Sequence, residues 1–376
     1  ITLLISVFVL TISCVLGWIV AKISRKLKHK SLITVLISLV VIGAYYFVYF
    51  KAQGMIQDLL ANATVYGARI KGAAYPVYLF GSVGIGDVRA SAIVSAAVAV
   101  LFSLMWVLLS RSFLRIATAT GKVARREYRE THSRHRSINT ALLCREISRF
   151  TANPNYMLNC GLGTFLMSVC AVAVLWKGGA LFSVLNAMFA ETPDSVPFLL
   201  CVVFCGLASM NLMTAPSISL EGKSLWLLQS LPVEPWRIFR AKIEMQLLLT
   251  GLPLLLCIAC TAAVYPLHPM QLLVLLLFEG SFVLLMALVG LLLGVKMPTL
   301  TWRNEIVPIK QGGAVMLTLF GGFGYIVLLF VGFMLLPGWI LGFCRYMSCF
   351  VAANLFLSVL AYLWLRKKGV ARFSAL

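Results

Sequence analysis

The chain has 376 residues, 61% of them hydrophobic and only 12% charged, with a mean hydropathy of +0.96. Soluble domains are about half apolar and about a quarter charged, so this composition excludes an ordinary water-soluble fold and implies a polytopic membrane protein. A formal net charge of +20 invites a nucleic-acid reading, but the basic residues are sorted onto alternate loops, which is a signature of membrane topology.

The apolar residues fall in blocks of about twenty, the length at which a helix rising about 1.5 Å per residue crosses a hydrocarbon core about 30 Å thick. The expected fold is therefore all-α, with spans over residues 1–21, 31–50, 90–109, 157–176, 196–214, 245–265, 270–295, 314–336 and about 343–365. The first span opens at Ile1, inside an apolar run and without an initiator Met. Further residues are expected to precede it, and nine spans is a minimum.

Stretches 22–30, 110–156, 215–244, 296–313 and 366 onward hold five, ten, four, three and four of the 32 Lys and Arg, leaving six for the opposite side. The positive-inside rule makes those five segments cytoplasmic, in strict alternation along the nine spans. On the outer side, 51–89 carries a helical stripe (Ile56, Leu59, Leu60, Ala63) and then Tyr75, Pro76, Tyr78 and Phe80, while 177–197 sets Leu181, Leu185, Met188 and Phe189 on one side. Both are read as helices packed on the outer face.

The cytoplasmic stretch 111–156 contains Arg125, Arg126, Arg129, Arg134 and Arg136 with Glu127 and Glu130 among them. It reads as a solvated connector near anionic lipid, not as a nucleic-acid site. Its end, 140–150, puts Leu143, Ile147 and Phe150 on one helical face and Arg145, Glu146 and Arg149 on the other. That pattern fits a helix lying in the membrane interface just before a span.

Between the spans at 196–214 and 245–265 lies a polar, helix-compatible segment from Ser219 to Ser230, closed by Pro232 and Pro235, which cannot continue a helix. It is read as a short surface helix placed to be touched by something soluble. Gly222-Lys223-Ser224 resembles the end of a phosphate-binding loop, but Ser217 stands where that loop needs glycine and no strand precedes it, so an ATPase site here is excluded. The histidines, His29, His132, His135 and His268, form no cluster with metal spacing, and no nucleophile has a plausible base. The ten cysteines, Cys257 and Cys260 included, lie almost wholly in apolar runs and read as small core residues.

Glu279 is the one acidic residue well inside a span. A lone carboxylate at mid-membrane costs about 2.5 kcal/mol or more, so it must face protein or water. It is either a wall of a translocation path, or a hydrogen-bonding partner of a neighbouring helix, or nearer a span end than drawn. Gly161, Gly163, Gly290, Gly294, Gly321, Gly322 and Gly324 read as close-packing sites between helices.

Order of elements suggests an internal repeat: an interfacial helix, two spans, the surface helix at 219–230, then four spans and a basic tail. The first three spans match the end of such a unit, so residues preceding Ile1 are expected to supply its start.

Ser217 to Trp226 with Ser230-Leu231-Pro232-Val233, Gly72 to Gly81, Tyr156 to Thr164, and Trp302-Arg303-Asn304-Glu305 together resemble the membrane subunits of ATP-binding-cassette exporters of the second type, in particular a group of large permeases of Gram-positive bacteria. The resemblance implies an elbow helix at 140–153 (Leu143, Arg145, Ile147, Arg149, Phe150) and a coupling helix within 217–236 (Ser219, Glu221, Lys223, Ser224, Trp226, Gln229). It also implies three domains: 1–110 as the end of a first transmembrane half, 111–139 as a linker, and 140–376 as a second, six-span half. The chain itself would be no enzyme and carry no cofactor. Its partners would be a separate cytoplasmic ATPase in two copies, which holds the ATP and magnesium, and membrane lipid, with nucleic acid excluded, in a bacterial cytoplasmic membrane. Glu221 and Lys223 would make polar contacts with that ATPase, and Leu225, Trp226 and Leu228 would anchor the helix or fill an ATPase cleft. An ATP-independent channel or secondary transporter is the alternative class.

Overall fold

A computed structural model describes residues 2–24, 30–61, 75–117, 137–192, 194–335 and 342–376. The basic connector from Arg125 to Arg136, Ala63, Gly72 to Ala74 and His29 fall outside the described residues. No strand is present among the described residues, and one isolated antiparallel bridge joins Gly161 to Asn211. Among the described residues eight helices are long and apolar enough to cross a membrane, which makes the chain an all-α, multi-pass membrane protein.

The chain divides into two compact units, Ile1–Ser133 and Arg134–Leu376. The first holds α1 (Thr2–Ser24), α2 (Lys30–Ala61), α3 (Tyr75–Ile85) and α4 (Val88–Ala117). Its core is Val83, Ala90, Val94 and Val98, with Leu4, Val7 and Phe8 of α1 against them. Trp18 Nε1 donates to Ser112 Oγ at 2.8 Å and fixes the other end of the α1–α4 pair. The stretch 51–61 belongs to α2, as a continuation of the span and not as a separate helix.

The second unit holds α5 (Ile138–Ala152), α6 (Pro154–Cys160), α7 (Leu162–Met188), α8 (Ser195–Ser209), a 3-10 turn (Ser219–Ser224), α9 (Leu225–Gln229), α10 (Pro235–Val264), α11 (Pro269–Lys296), a π turn (Val307–Gln311), α12 (Gly313–Leu335), α13 (Phe343–Trp364), a second π turn (Leu365–Gly369) and α14 (Val370–Ser374). α11 is the central post: 61% of its apolar stretch is buried, against 28% or less for every other spanning helix. The outer helix expected at 177–197 does not exist as a separate element, because Leu181, Leu185 and Met188 continue α7 without a break.

The span expected over 196–214 is also corrected. α8 has 15 residues, about 22 Å at 1.5 Å per residue, too short for a 30 Å core. It stops because side chains take over its backbone partners. Asn211 Oδ1 accepts the Thr164 N–H at 3.0 Å, and Leu212 N–H donates to Cys160 O at 3.0 Å. Gln246 Oε1 accepts from Thr214 N–H at 2.9 Å and Gln246 Nε2 donates to Asn211 O at 3.0 Å. Irregular backbone at membrane depth survives only where it is buried in protein; accordingly Leu212, Met213, Thr214 and Ala215 are all buried.

Of the close-packing glycines, Gly163 abuts Leu207 O, Gly290 abuts Thr214, Gly294 abuts Ala215 O, and Gly322 abuts Met286 and Ser209. A side chain at Gly161 would meet Phe150, whereas Gly321 and Gly324 face open space and pack against nothing. Residues 138–161, 210–234, 297–311 and 365–376 converge at one end of the unit, through Leu212 N–H to Cys160 O, Trp302 to Ser219, Gln229 to Phe373 and Arg372 to Lys296. These are the basic segments of this unit. At the opposite end Asp194 accepts from the Phe343 N–H at 3.0 Å and from Gln271 Nε2 at 3.3 Å.

Candidate functional site

The surface segment is two pieces, not one helix. Ser219–Ser224 winds as a 3-10 turn, Gly222 adopts φ +51° and ψ −132°, and α9 then covers Leu225–Gln229. A residue with a side chain is strained at that φ, and a Cβ on Gly222 would lie 3.1 Å from the Trp302 ring. Trp302 closes over the kink, its Nε1 donating to Ser219 O at 2.7 Å, while the Thr299 N–H donates to Ser219 Oγ at 3.0 Å. The turn has apolar roots as well. Leu225 and Leu228 are buried with Ile238, Phe239, Leu291 and Phe373.

This geometry sorts the residues expected to meet a partner into two sets. Lys223, Ser224, Trp226, Leu227 and Gln229 are exposed, Trp226 to 62%. Ser219 and Glu221 face inward and are buried. Ser224 Oγ donates to Glu221 O at 2.7 Å, and Gln229 Nε2 donates to Phe373 O at 2.7 Å, tying α9 to the C-terminal tail.

Glu221 is the hub of the site. Its carboxylate receives Arg145 Nη2 at 3.0 Å, Lys242 Nζ at 3.2 Å, and Arg149. Glu146 binds Arg145 Nη1 at 2.8 Å and the same Lys242 Nζ at 2.9 Å. Lys242 Nζ also donates to Ser217 O at 3.4 Å, so its three protons have three acceptors on two elements. Three cations and two carboxylates thus lock α5, the 3-10 turn and α10 together. Burial raises the Glu221 carboxyl pKa, but the Lys242 charge, the Arg145 hydrogen bond and the Arg149 charge overcome that and hold it at about 2. The Arg145 guanidinium is pushed up: burial opposes this, and the bond to Glu221 outweighs it.

The helix ahead of the first span of this unit exists, with Ser137 Oγ accepting the Thr140 N–H as its cap at 3.3 Å. Its expected facing is corrected. Leu142, Glu146 and Phe150, spaced four apart, are its buried stripe, while Leu143, Arg145, Ile147 and Arg149 are half-buried along its flanks. The charged face turns in because acceptors and donors await it there. Phe150 packs edge to face on Tyr156 with centroids 5.1 Å apart, and the Tyr156 hydroxyl donates to Met213 O.

Lys242 was hidden in the sequence among the basic residues of 215–244. Its signal was phase: it falls one helical turn after the buried Ile238 and one before the buried Gln246, a place where an unpaired ammonium is not tolerated. Gln246, Asn211 and Thr214 carried no such signal, because neutral polar residues are ordinary in a helix near an interface.

Glu279 stands apart from this network, inside α11 and fully buried. Neither carboxylate oxygen has a hydrogen-bond partner among the described residues. It borders a pocket of about 150 Å³ lined by Leu247, Gly251, Leu254, Ile258 and Leu276. No group of His, Cys, Asp and Glu with metal-holding geometry occurs among the described residues.

Comparisons of the chain with protein-family models, curated proteins and solved structures find no match.

Proposed function

We propose that this chain is the transmembrane subunit of an ATP-driven exporter of the second type, which receives work from a separate ATPase through residues 217–229 and moves its substrate out of the cytoplasm. The observation supporting this reading best is the mounting of the turn. Its outer face presents Lys223, Trp226 and Leu227, while its inner face is fastened through Glu221 to α5 and to α10 by ion pairs at 3.0 Å and 3.2 Å. A load on the exposed side chains is therefore passed to two membrane-engaged helices together, as transmission needs and a slack connector would not provide. The chain's role is mechanical; nucleotide and magnesium would sit on the partner. The bacterial cytoplasmic membrane, the two ATPase copies and the two-half organisation belong to the same reading.

The test uses the tagged chain recovered from its native membranes with its companions. Vanadate-sensitive ATP hydrolysis in that preparation is expected to fall at least tenfold in the Lys223→Glu/Trp226→Ala variant, the loss that about 1.4 kcal/mol of coupling represents, with unfolding temperature unchanged. Hydrolysis that is absent from the wild-type preparation, or indifferent to the double substitution, defeats the proposal.

A channel or secondary transporter is the second reading, and Glu279 is the observation that favours it, since an unpartnered carboxylate inside a span is suited to carry an ion. Uptake by vesicles that is driven by an ion gradient without ATP, and abolished by Glu279→Gln, would establish this instead.

A further inference from the structure

A groove of about 470 Å³ opens between α10 and α13 above α11, at the basic end of the unit. The two helices run antiparallel there, and Trp236 meets Tyr362 edge to face with centroids 5.0 Å apart. One turn inward along each helix stand Arg240 and Ser358, so they share one depth. α10 has 30 residues, about 45 Å, and counting about twenty residues back from Val264 puts the start of the hydrocarbon core near Met245. Arg240 and Ser358 then lie in the headgroup layer. Leu247, Leu284 and Leu355, deeper in the same groove, lie at the level of acyl chains.

The polar groups at and above this depth are only partly engaged. Arg240 Nε donates to Glu244 Oε1 at 2.6 Å, and its terminal amino groups make no other bond among the described residues. Arg366 Nη1 donates to the Tyr362 hydroxyl at 3.3 Å, which brings a second guanidinium to the mouth. Ser358 is buried, lines the groove, and its Oγ has no partner among the described residues. Other helix serines of this chain, such as Ser209 and Ser348, donate to the carbonyl one turn back at 2.8 Å and 2.7 Å. Two guanidinium groups outweigh the one carboxylate of Glu244, so the mouth favours a net negative headgroup over a zwitterionic one, whose ammonium would face Arg366.

We propose that this groove binds an anionic phospholipid, with the phosphate between Arg240 and Arg366, an ester oxygen accepting from Ser358, and an acyl chain along Leu247, Leu284 and Leu355. The arrangement is that of a basic pocket between membrane helices, where headgroup charge and chain length are both recognised. It is independent of whether the chain is an exporter.

The test is lipid titration of the purified chain in neutral detergent, followed by thermal unfolding and by native mass spectrometry. Phosphatidylglycerol is expected to raise the unfolding temperature and to persist as one retained lipid, with phosphatidylcholine and free glycerol phosphate doing neither. Arg240→Gln, at an exposed position, is expected to weaken phosphatidylglycerol binding about fivefold, the effect of removing one cation near anionic lipid. Ser358→Ala is expected to weaken it with the lipid-free unfolding temperature unchanged, and Lys310→Gln, an exposed cation elsewhere, to leave it as in wild type. Equal response to phosphatidylcholine, a response to glycerol phosphate, Arg240→Gln retaining lipid as wild type does, or a second copy of the chain occupying the groove would each overturn the assignment.

Discussion

Replacing Glu221 by Gln tests the site at its hub. The carboxylate titrates at about 2 against an ordinary 4.5, and at about 1.4 kcal/mol per pH unit it contributes about 3 kcal/mol to the folded state at neutral pH. A buried charge pair broken on one side loses about 3–5 kcal/mol, in agreement. Gln keeps the shape but leaves Arg145, Arg149 and Lys242 facing Glu146 alone, so the unfolding temperature in detergent falls at pH 7. Because the folded value lies below the unfolded one, the unfolded state binds more protons, and the contribution is complete above about pH 4.5 and lost as pH falls toward 2. The gap between wild type and Glu221→Gln therefore closes across that window. Thermal unfolding followed by tryptophan fluorescence at a series of pH values reads both effects. An equal unfolding temperature at pH 7, or a gap undiminished at pH 2.5, would refute the hub assignment.

Three further substitutions probe the surroundings. Gly222→Ala forces a side chain into a conformation suited to glycine and against the Trp302 ring, so it costs about 1–3 kcal/mol; denaturant unfolding checks this. Gln246→Leu leaves the Thr214 N–H and Asn211 O unpaired in a buried stretch at about 1–3 kcal/mol for each group, and limited proteolysis should then cut within 210–218. Glu279→Met removes two buried oxygens that have no partner, so its unfolding temperature should rise; a fall would reveal a partner the structure does not show.

The spans were legible because bilayer thickness imposes a length on apolar runs, and eight of the nine intervals drawn from composition lie largely within single long helices. Loop charge predicts that the basic segments share one side, and 138–161, 210–234, 297–311 and 365–376 do converge at one end of the second unit. The end of α8 was not legible. Met210 to Ala215 is as apolar as a span, and only the side chains of Asn211 and Gln246, meeting from elements 35 positions apart, reveal that the backbone has left the helix. The facing of α5 was hidden for a related reason. A helical wheel assigns charge to solvent by default, and Arg145, Glu146 and Arg149 turn inward only because Glu221 and Lys242 arrive from elsewhere in the chain.

A buried ion cluster is not the most stabilising way to fasten α5, since well-packed apolar residues of the same size do as well. Its consequence is positional. Apolar stripes such as Leu142 and Phe150 tolerate sliding along a greasy surface, because hydrophobic contact is non-directional. The charges tolerate none: moving α5 by one turn would separate Glu146 from Lys242 and both arginines from Glu221, leaving buried charges without partners. The 3-10 turn, α5 and the first turns of α10 therefore have one register and travel together. Beyond them the 210–218 segment is irregular but buried, held by Leu212 N–H to Cys160 O, the Tyr156 hydroxyl to Met213 O, Gln246 to Thr214 and Asn211, and Lys242 to Ser217 O. The seat therefore extends through 210–218 to the end of α8, and a displacement of the surface turn is passed to α8 with no slack stretch between them.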